Sequence, residues 1–216
     1  MRLVVFDLDG TLVDSAADLA ASVNAALAAH GERRLPSETI EGFIGDGARM
    51  LVARGLNAVS PRAGEGRLDL VFASFLDHYR VHCLDRTTLY PGVAEVLAEL
   101  HRRGIALAVL TNKPRGFSEA ILRGLGVRDL FSGLVGGDDL PTRKPDPEGL
   151  LRLVAAAGCR KDEVLLVGDL AVDVATARNA GVGACGVSWG FAASADLRAA
   201  GAAVVVDRPA AILERL

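Results

Sequence analysis

Short runs of apolar residues recur along the chain, and segments with helical periodicity separate them. The runs are mostly continuous rather than alternating, which is typical of parallel strands that are covered on both faces. Strands and helices that alternate in this way indicate an α/β fold with a doubly wound, mainly parallel, Rossmann-like sheet. Six strands are predicted over residues 3–8, 106–111, 134–136, 164–167, 184–187 and 203–206, and helices over 93–103, 116–125, 147–157, 172–180 and 209–216.

A long stretch after the first strand breaks this alternation. Between residues 15 and 85 the sequence shows no convincing strand, and helices are predicted over 19–29, 37–43, 49–56 and 68–82. The chain is therefore expected to form a core domain, residues 1–14 and 86–216, and a helical cap domain, residues 15–85, inserted after the first strand. Loops at the carboxyl ends of parallel strands build ligand sites, so the cap is placed to close over such a site and exclude water.

Composition excludes several classes of function. The 216 residues are 50% hydrophobic with a formal net charge of −3, so no large basic surface predicts nucleic-acid binding. Three scattered cysteines without a CxxC pair argue against a disulfide framework or a zinc site. The sequence contains no apolar run long enough for a membrane span, so none is expected. Because the first predicted strand begins at residue 3, we expect no signal peptide either. We expect a cytoplasmic protein, monomer or homodimer.

The first strand ends in the sequence Asp7-Leu8-Asp9-Gly10-Thr11. Because side chains alternate along a strand, Asp7 and Asp9 are expected to leave the sheet on the same side. Two carboxylates at about 4 Å repel each other by roughly 4 kcal/mol at an effective dielectric constant near 20. A cation beside them would turn this repulsion into a binding site, so the pattern indicates a hard metal, a nucleophile and an acid at one strand end.

Three further polar clusters follow later strands. Thr111 and Asn112 can hold a phosphate oxygen, Lys144 is aimed by the prolines around it, and Asp169 precedes Asp173 at helical i+4 spacing. Each cluster alone also has an ordinary interpretation, as a helix cap, a solvated lysine or a partner of a helix dipole. Together they lie where ligands bind in open α/β sheets, and they supply carboxylates for Mg²⁺ and donors for phosphoryl transfer.

In this order, the four clusters resemble the motifs of the haloacid dehalogenase superfamily of phosphohydrolases, and the resemblance spans the whole chain. It implies that Asp7 attacks phosphorus and forms an aspartyl-phosphate, and that Asp9 acts as general acid and base. The implied Mg²⁺ ligands are the Asp7 carboxylate, the Asp9 backbone carbonyl and Asp169. The implied phosphate-binding residues are Thr111, Asn112 and Lys144, and the residue that orients the metal shell is Asp173.

Finer matches are similar to the phosphoglycolate phosphatase branch of this family. They include Thr111-Asn112-Lys113-Pro114, the cap stretch 43–49 and Ser188-Trp189-Gly190. The resemblance implies a small phosphorylated metabolite as partner, with 2-phosphoglycolate as substrate, and a specificity loop in the cap that contains Gly45, Gly47 and Arg49. One departure is Leu170, which stands where that branch usually has Ser.

Other functions stay open at this stage. A phosphatase for a sugar phosphate or pyrophosphate is the first alternative, and a sugar phosphomutase is the next, although Thr11 favours hydrolysis weakly. A relative without activity that binds a phosphorylated ligand or another protein belongs to a different class. Such a relative would be expected to lose Asp7 or Asp9, and this chain has both.

Overall fold

The computed structural model describes all 216 residues, Met1–Leu216, and the chain divides into two compact units. The larger unit comprises Met1–Asp14 and Leu89–Leu216, and the smaller unit comprises Ser15–Thr88. A compact unit is not by itself an independently folding domain. The predicted domains, 1–14 with 86–216 and 15–85, therefore stay predictions.

The larger unit is built on a parallel sheet. The strands of the chain are β1 (Leu3–Phe6), β2 (Val13–Asp14), β3 (Thr88–Leu89), β4 (Ala106–Leu110), β5 (Gly133–Val135), β6 (Val164–Gly168), β7 (Gly183–Val187) and β8 (Val204–Val206). β1 is bordered by β4 and β6, and the full order of the sheet is β5-β4-β1-β6-β7-β8, with every neighbouring pair parallel. Two shorter strands, β2 and β3, form a separate two-stranded sheet. The predicted doubly wound, mainly parallel α/β sheet is confirmed.

Continuous apolar sequence explains why these strands occupy the centre of the core. Leu3, Val4 and Val5 of β1 have no exposed surface, and all five residues of β6 are buried. A strand that is covered on both faces has no position for a polar side chain until it ends. The first polar groups of β1 and β6 therefore come directly after their last apolar residues.

Five α-helices and three short 3₁₀-helices accompany the sheet. The segment predicted as a last helix over 209–216 is a 3₁₀-helix rather than an α-helix, and the helix at Ser194–Ala199 is not among the predicted ones. No helix combines the length and apolar composition that crossing a bilayer requires. The α-helices are α5 (Val93–Arg102), α6 (Arg115–Gly124), α7 (Glu148–Ala156), α8 (Ala171–Ala180) and α9 (Ser194–Ala199), and the 3₁₀-helices are Arg128–Leu130, Lys161–Glu163 and Pro209–Arg215.

The register of the central strands sets the position of the residues that follow them. Phe6, the last residue of β1, is aligned with Val109 of β4 and with Val167 of β6. The chain runs outward from β1 through β4 to β5, and then from β6 through β7 to β8 on the other side. The strand order reverses at β1 and β6, and ligands bind at such a reversal in open α/β sheets.

The regular elements of the smaller unit are all helices, apart from Thr88, the first residue of β3. Its core contains Phe75 and Tyr79, whose rings stack with centroids 5.4 Å apart. Val23 and Leu27 of the first helix are also buried. The four helices are α1 (Ala16–Ala29), α2 (Ser37–Glu41), α3 (Ala48–Val59) and α4 (Glu65–His82).

One buried carboxylate ties the beginning of this unit to its end. Asp18 of α1 has a side chain that is only 2% exposed, and it accepts hydrogen bonds from the Arg86 amide (3.0 Å) and from the amide and hydroxyl of Thr87 (2.9 and 2.8 Å). Burial raises the pKa of Asp18, but these hydrogen bonds outweigh it and hold the pKa below its ordinary value.

We expect Asp18→Ala to lower the free energy of unfolding by about 3 kcal/mol, because it leaves the buried amide and hydroxyl of Thr87, and the amide of Arg86, without their acceptor. The Asp18 carboxylate contributes fully to the free energy of unfolding above the pKa of an unfolded aspartate, about 3.9. This contribution is lost as pH falls through the lower folded-state pKa. The difference between variant and wild type should therefore narrow only below about pH 4. Urea denaturation of both proteins at neutral and acidic pH measures this difference in the free energy of unfolding.

The matched control is Asp77→Ala, because Asp77 lies on α4 in an exposed ion pair with Arg80. An exposed pair contributes less than about 1 kcal/mol. Equal losses of stability in the two variants would contradict the role assigned to Asp18.

Candidate active site

The carboxyl edge of the central strands carries the predicted polar residues. Asp7 follows β1, Thr111 follows β4, and Asp169 follows Gly168 at the end of β6. All three side chains are buried, with Asp169 fully so. Because the three strands are neighbours in register, their ends bring these side chains to one place.

Lys144 joins two of the carboxylates. Its Nζ lies 2.8 Å from Oδ1 of Asp7 and 2.6 Å from Oδ1 of Asp173, and its side chain is only 1% exposed. Burial lowers the pKa of Lys144, but the charges of Asp173 and Asp7 outweigh it and raise the pKa above its usual range. Lys144 is therefore a fixed positive charge beside Asp7. Asp173 is also held by the amide of Leu170, which donates to its Oδ2 at 3.0 Å.

Asn112 positions the loop that carries Lys144. Its Oδ1 accepts a hydrogen bond from the Lys144 amide at 3.0 Å, and its Nδ2 donates to the Lys144 carbonyl at 3.3 Å. The side-chain amide is thus engaged with the backbone on both sides. Phosphate binding by Asn112 stays a prediction, and in the structure its side chain contacts the backbone of Lys144.

Both oxygens of Asp169 are held by the chain. The Thr11 hydroxyl donates to Oδ1 and the Phe191 amide donates to Oδ2, each at 2.9 Å. Glycine is required nearby, since a Cβ at Gly190 would lie 2.3 Å from the Gly10 carbonyl oxygen and 2.4 Å from Asp169 Oδ2. Burial, followed by the charges of neighbouring carboxylates, raises the pKa of Asp169 well above its ordinary value.

The acidic groups fit a divalent cation. Ligand atoms of Asp7, Asp169 and Asp173 all lie within 4.8 Å of one another, and the three buried carboxylates face one ammonium, for a formal charge of −2. Asp7 Oδ1 is buried without a hydrogen bond, because its contact with Lys144 is an ion pair outside hydrogen-bond geometry. Burial is the main cause that raises the pKa of Asp7 to about 6. Carboxylate oxygens of this kind suit Mg²⁺.

The Asp9 side chain is paired with a second lysine. Its two oxygens lie 2.8 and 3.0 Å from Nζ of Lys113, whose side chain is only 4% exposed. The family resemblance assigns only the Asp9 backbone carbonyl to the metal, and this assignment stays a prediction. Lys113 was given no role from the sequence; its position two residues after Thr111, at a strand end, is the signal that could have indicated one.

The predicted specificity residues belong to the smaller unit. Gly45 and Gly47 have φ angles of 128° and 89°, a region that favours glycine. The Arg49 guanidinium lies 3.0 Å from Glu65 and 2.7 Å from Asp69, and 5.6 Å from the ring centroid of Phe72. Arg49 is therefore ion-paired within its own unit, and its role in substrate recognition stays a prediction.

Comparisons with known proteins agree on one family. The model of the haloacid dehalogenase-like hydrolases matches residues 4–187. The chain is 45% identical over 179 residues to a phosphoglycolate phosphatase of Cereibacter sphaeroides, covering 83% of this chain and 81% of that protein. It is 38% identical over 201 residues to one of Psychrobacter arcticus, covering 91% and 87%.

A solved structure agrees with these sequence matches. The crystal structure of a predicted phosphoglycolate phosphatase from Haemophilus somnus 129PT superposes with a TM-score of 0.95 at 32% identity. The superposition covers 100% of this chain and 97% of that one. The likeness therefore includes the residues of both compact units.

We expect Mg²⁺ to raise the free energy of unfolding, by about 2.7 kcal/mol at a hundred times its Kd, because it binds the folded carboxylates. Asp169→Asn should abolish this stabilisation, and Thr11→Val should weaken Mg²⁺ binding about 10- to 100-fold by releasing Asp169 Oδ1. Thermal unfolding with and without Mg²⁺, and calorimetric titration, measure both effects.

Two exposed positions provide the controls. Asp196→Asn removes a carboxylate from α9, and Thr142→Val removes a hydroxyl that contacts only Glu148, at 3.4 Å. Neither should change the response to Mg²⁺. An Asp169→Asn protein that Mg²⁺ stabilises as much as wild type would show that the cation binds elsewhere.

Proposed function

Since this chain belongs to the haloacid dehalogenase-like hydrolase family, we propose that it is a Mg²⁺-dependent phosphatase that hydrolyses 2-phosphoglycolate. The observation that carries the proposal is the buried group formed by Asp7, Lys144, Asp169 and Asp173. In this group the Lys144 ammonium contacts Asp7, the potential nucleophile, and the three carboxylates leave an excess of negative charge that suits a divalent cation.

Asp7 is the proposed nucleophile. One of its carboxylate oxygens attacks phosphorus, a bond from Asp7 to phosphorus forms, and the bond from phosphorus to the ester oxygen breaks. Lys144, 2.8 Å from Asp7, and Thr111 face the charge that develops on the phosphoryl oxygens. Their positions are set before the reaction begins, so their stabilisation of that charge requires no reorganisation.

Asp9 is the proposed acid and base. It gives a proton to the oxygen of the leaving alcohol in the first step. In the second step it takes a proton from the water that attacks phosphorus, and the bond between Asp7 and phosphorus breaks to release phosphate. Its side chain is 14% exposed, so it can reach both the leaving alcohol and water.

The groups that would hold Mg²⁺ are the carboxylates of Asp7 and Asp169 and the backbone carbonyl of Asp9. Asp173 would orient this set of ligands. The chemistry that the ion supplies when bound is charge compensation between an anionic nucleophile and an anionic ester. The Thr11 hydroxyl and the Phe191 amide hold the two oxygens of Asp169 in place. Leu170, at the N-cap of α8, brings no hydroxyl to this region, and the carboxylates are all present without one.

The choice of 2-phosphoglycolate as substrate is supported by the names of the relatives. Proteins 45% and 38% identical to this chain are phosphoglycolate phosphatases. Phosphatases for sugar phosphates or pyrophosphate and sugar phosphomutases use related chemistry, so activity measurements must separate them. Steady release of phosphate without a bisphosphate activator excludes a mutase.

We expect Asp7→Asn to abolish phosphate release, because the amide is a much weaker nucleophile, and Asp9→Asn to slow it by roughly 10²-fold or more. Phosphate release from 2-phosphoglycolate with Mg²⁺ measures both. The exposed Asp129→Asn serves as the control and should keep wild-type activity. Wild-type turnover by Asp7→Asn would exclude Asp7 as the nucleophile.

A panel of small phosphomonoesters tests the substrate. We expect the highest kcat/KM for 2-phosphoglycolate and loss of all activity in the presence of a chelator. Sugar phosphates and pyrophosphate should be poorer substrates. A higher kcat/KM for a sugar phosphate would still support a phosphatase, but it would make that sugar phosphate the substrate instead of 2-phosphoglycolate.

A further inference from the structure

A second buried ammonium lies at the same edge of the sheet, and the proposed reaction gives it no task. Lys113 Nζ contacts both oxygens of Asp9, at 2.8 and 3.0 Å, and the side chain is 4% exposed. We propose that Lys113 determines substrate specificity by pairing with a carboxylate on the leaving group of the ester. The inference rests on the proposed function, and it names the part of the substrate, the carboxylate of the leaving group, that the larger unit recognises.

The backbone around Lys113 is fixed by its neighbours. The Lys113 amide donates to the Thr111 hydroxyl at 3.2 Å, and the Lys113 carbonyl accepts from the Gly137 amide at 2.8 Å. Gly137 packs so closely that a Cβ there would lie 2.1 Å from the Asn112 carbonyl oxygen. This loop therefore holds the base of the lysine side chain in place and aims its ammonium at one position.

The position of the ammonium follows from the task of Asp9. To protonate the leaving oxygen, one Asp9 oxygen must approach it to about 3 Å. Lys113 Nζ contacts both Asp9 oxygens, so it lies beside whatever is attached to the leaving oxygen. In 2-phosphoglycolate one methylene separates that oxygen from the carboxylate, which places the two within roughly 4 Å of each other. The carboxylate is thus within reach of the ammonium.

The two buried lysines divide the charges of such a substrate between them. Lys144 is paired with Asp7 and Asp173, on the side of the phosphoryl group. Lys113 is paired with Asp9, on the side of the leaving alcohol. An ester of an α-hydroxy acid carries one anionic group on each side, and a charge-assisted contact in a site with little water is strong. An ester with a neutral leaving group cannot make the second contact.

The test compares two esters that differ in the carboxylate, 2-phosphoglycolate and 2-hydroxyethyl phosphate. The measured quantity is the ratio of their kcat/KM values in wild type, in Lys113→Met, and in Lys161→Met, which replaces the exposed third lysine. We expect Lys113→Met to lower this ratio roughly 10- to 100-fold, and Lys161→Met to leave it unchanged.

If Lys113 only positioned Asp9, its replacement would slow the hydrolysis of both esters by the same factor. An unchanged ratio in Lys113→Met would therefore overturn the inference, whether the two activities fall together or stay at wild-type values. If wild type hydrolyses neither ester, the proposed function itself fails, and the two failures are thus distinguishable.

A second measurement needs no variant, in case Lys113→Met does not fold. The phosphate ester of 3-hydroxypropionate carries the same carboxylate one methylene further from the leaving oxygen. Wild type should prefer 2-phosphoglycolate to this ester by at least about tenfold in kcat/KM. Equal values for the two esters would contradict a fixed ammonium beside the leaving oxygen.

Discussion

The ion pairs of Lys144 are the interaction on which the site depends. Three carboxylates within 4.8 Å of one another would repel strongly in a buried place, and Lys144 is the ammonium that compensates part of this charge. The compensation is incomplete, because three carboxylates and one ammonium leave a formal charge of −2. Burial is the main cause that raises the pKa values of Asp7 and Asp169, since it disfavours their charged forms. Buried negative charge in excess suits a divalent cation, so the imbalance that destabilises the metal-free site would favour the proposed binding of Mg²⁺.

The sheet makes this crowding possible because its strands end together. Phe6 and Val167 are aligned, so the residues that follow them approach from two sides of one point. Glycine completes the approach: a Cβ at Gly168 would lie 2.3 Å from the Asp173 carboxyl carbon. Side-chain chemistry at this edge thus requires residues without side chains beside it, and substitution at these glycines would act on the carboxylates rather than on the sheet.

Much of the fold can be predicted from the sequence because buried strands and amphipathic helices have distinct periodicities. The α9 helix escapes this reasoning, since Ser194–Ala199 spans only six residues. Within the site, Asp7 and Asp169 are predictable because they end apolar runs. The pairing of Lys113 with Asp9 is not, because 104 residues separate the partners and only strand register brings them together. The Phe191 amide, which holds Asp169, is a backbone group and has no sequence signal.

The two lysines would also explain how the proposed nucleophile, Asp7, and the proposed acid, Asp9, can coexist two residues apart. With a single shared ammonium, Asp7 and Asp9 would compete for one positive charge and would respond alike to their surroundings. Separate partners, Lys144 for Asp7 and Lys113 for Asp9, give each carboxylate its own environment, and carboxylates in different environments can take different roles. A substrate with one anionic group at each end would then match this site, because Lys144 and Lys113 provide one positive charge for each end. The arrangement that separates the two carboxylates would in this way also select the leaving group.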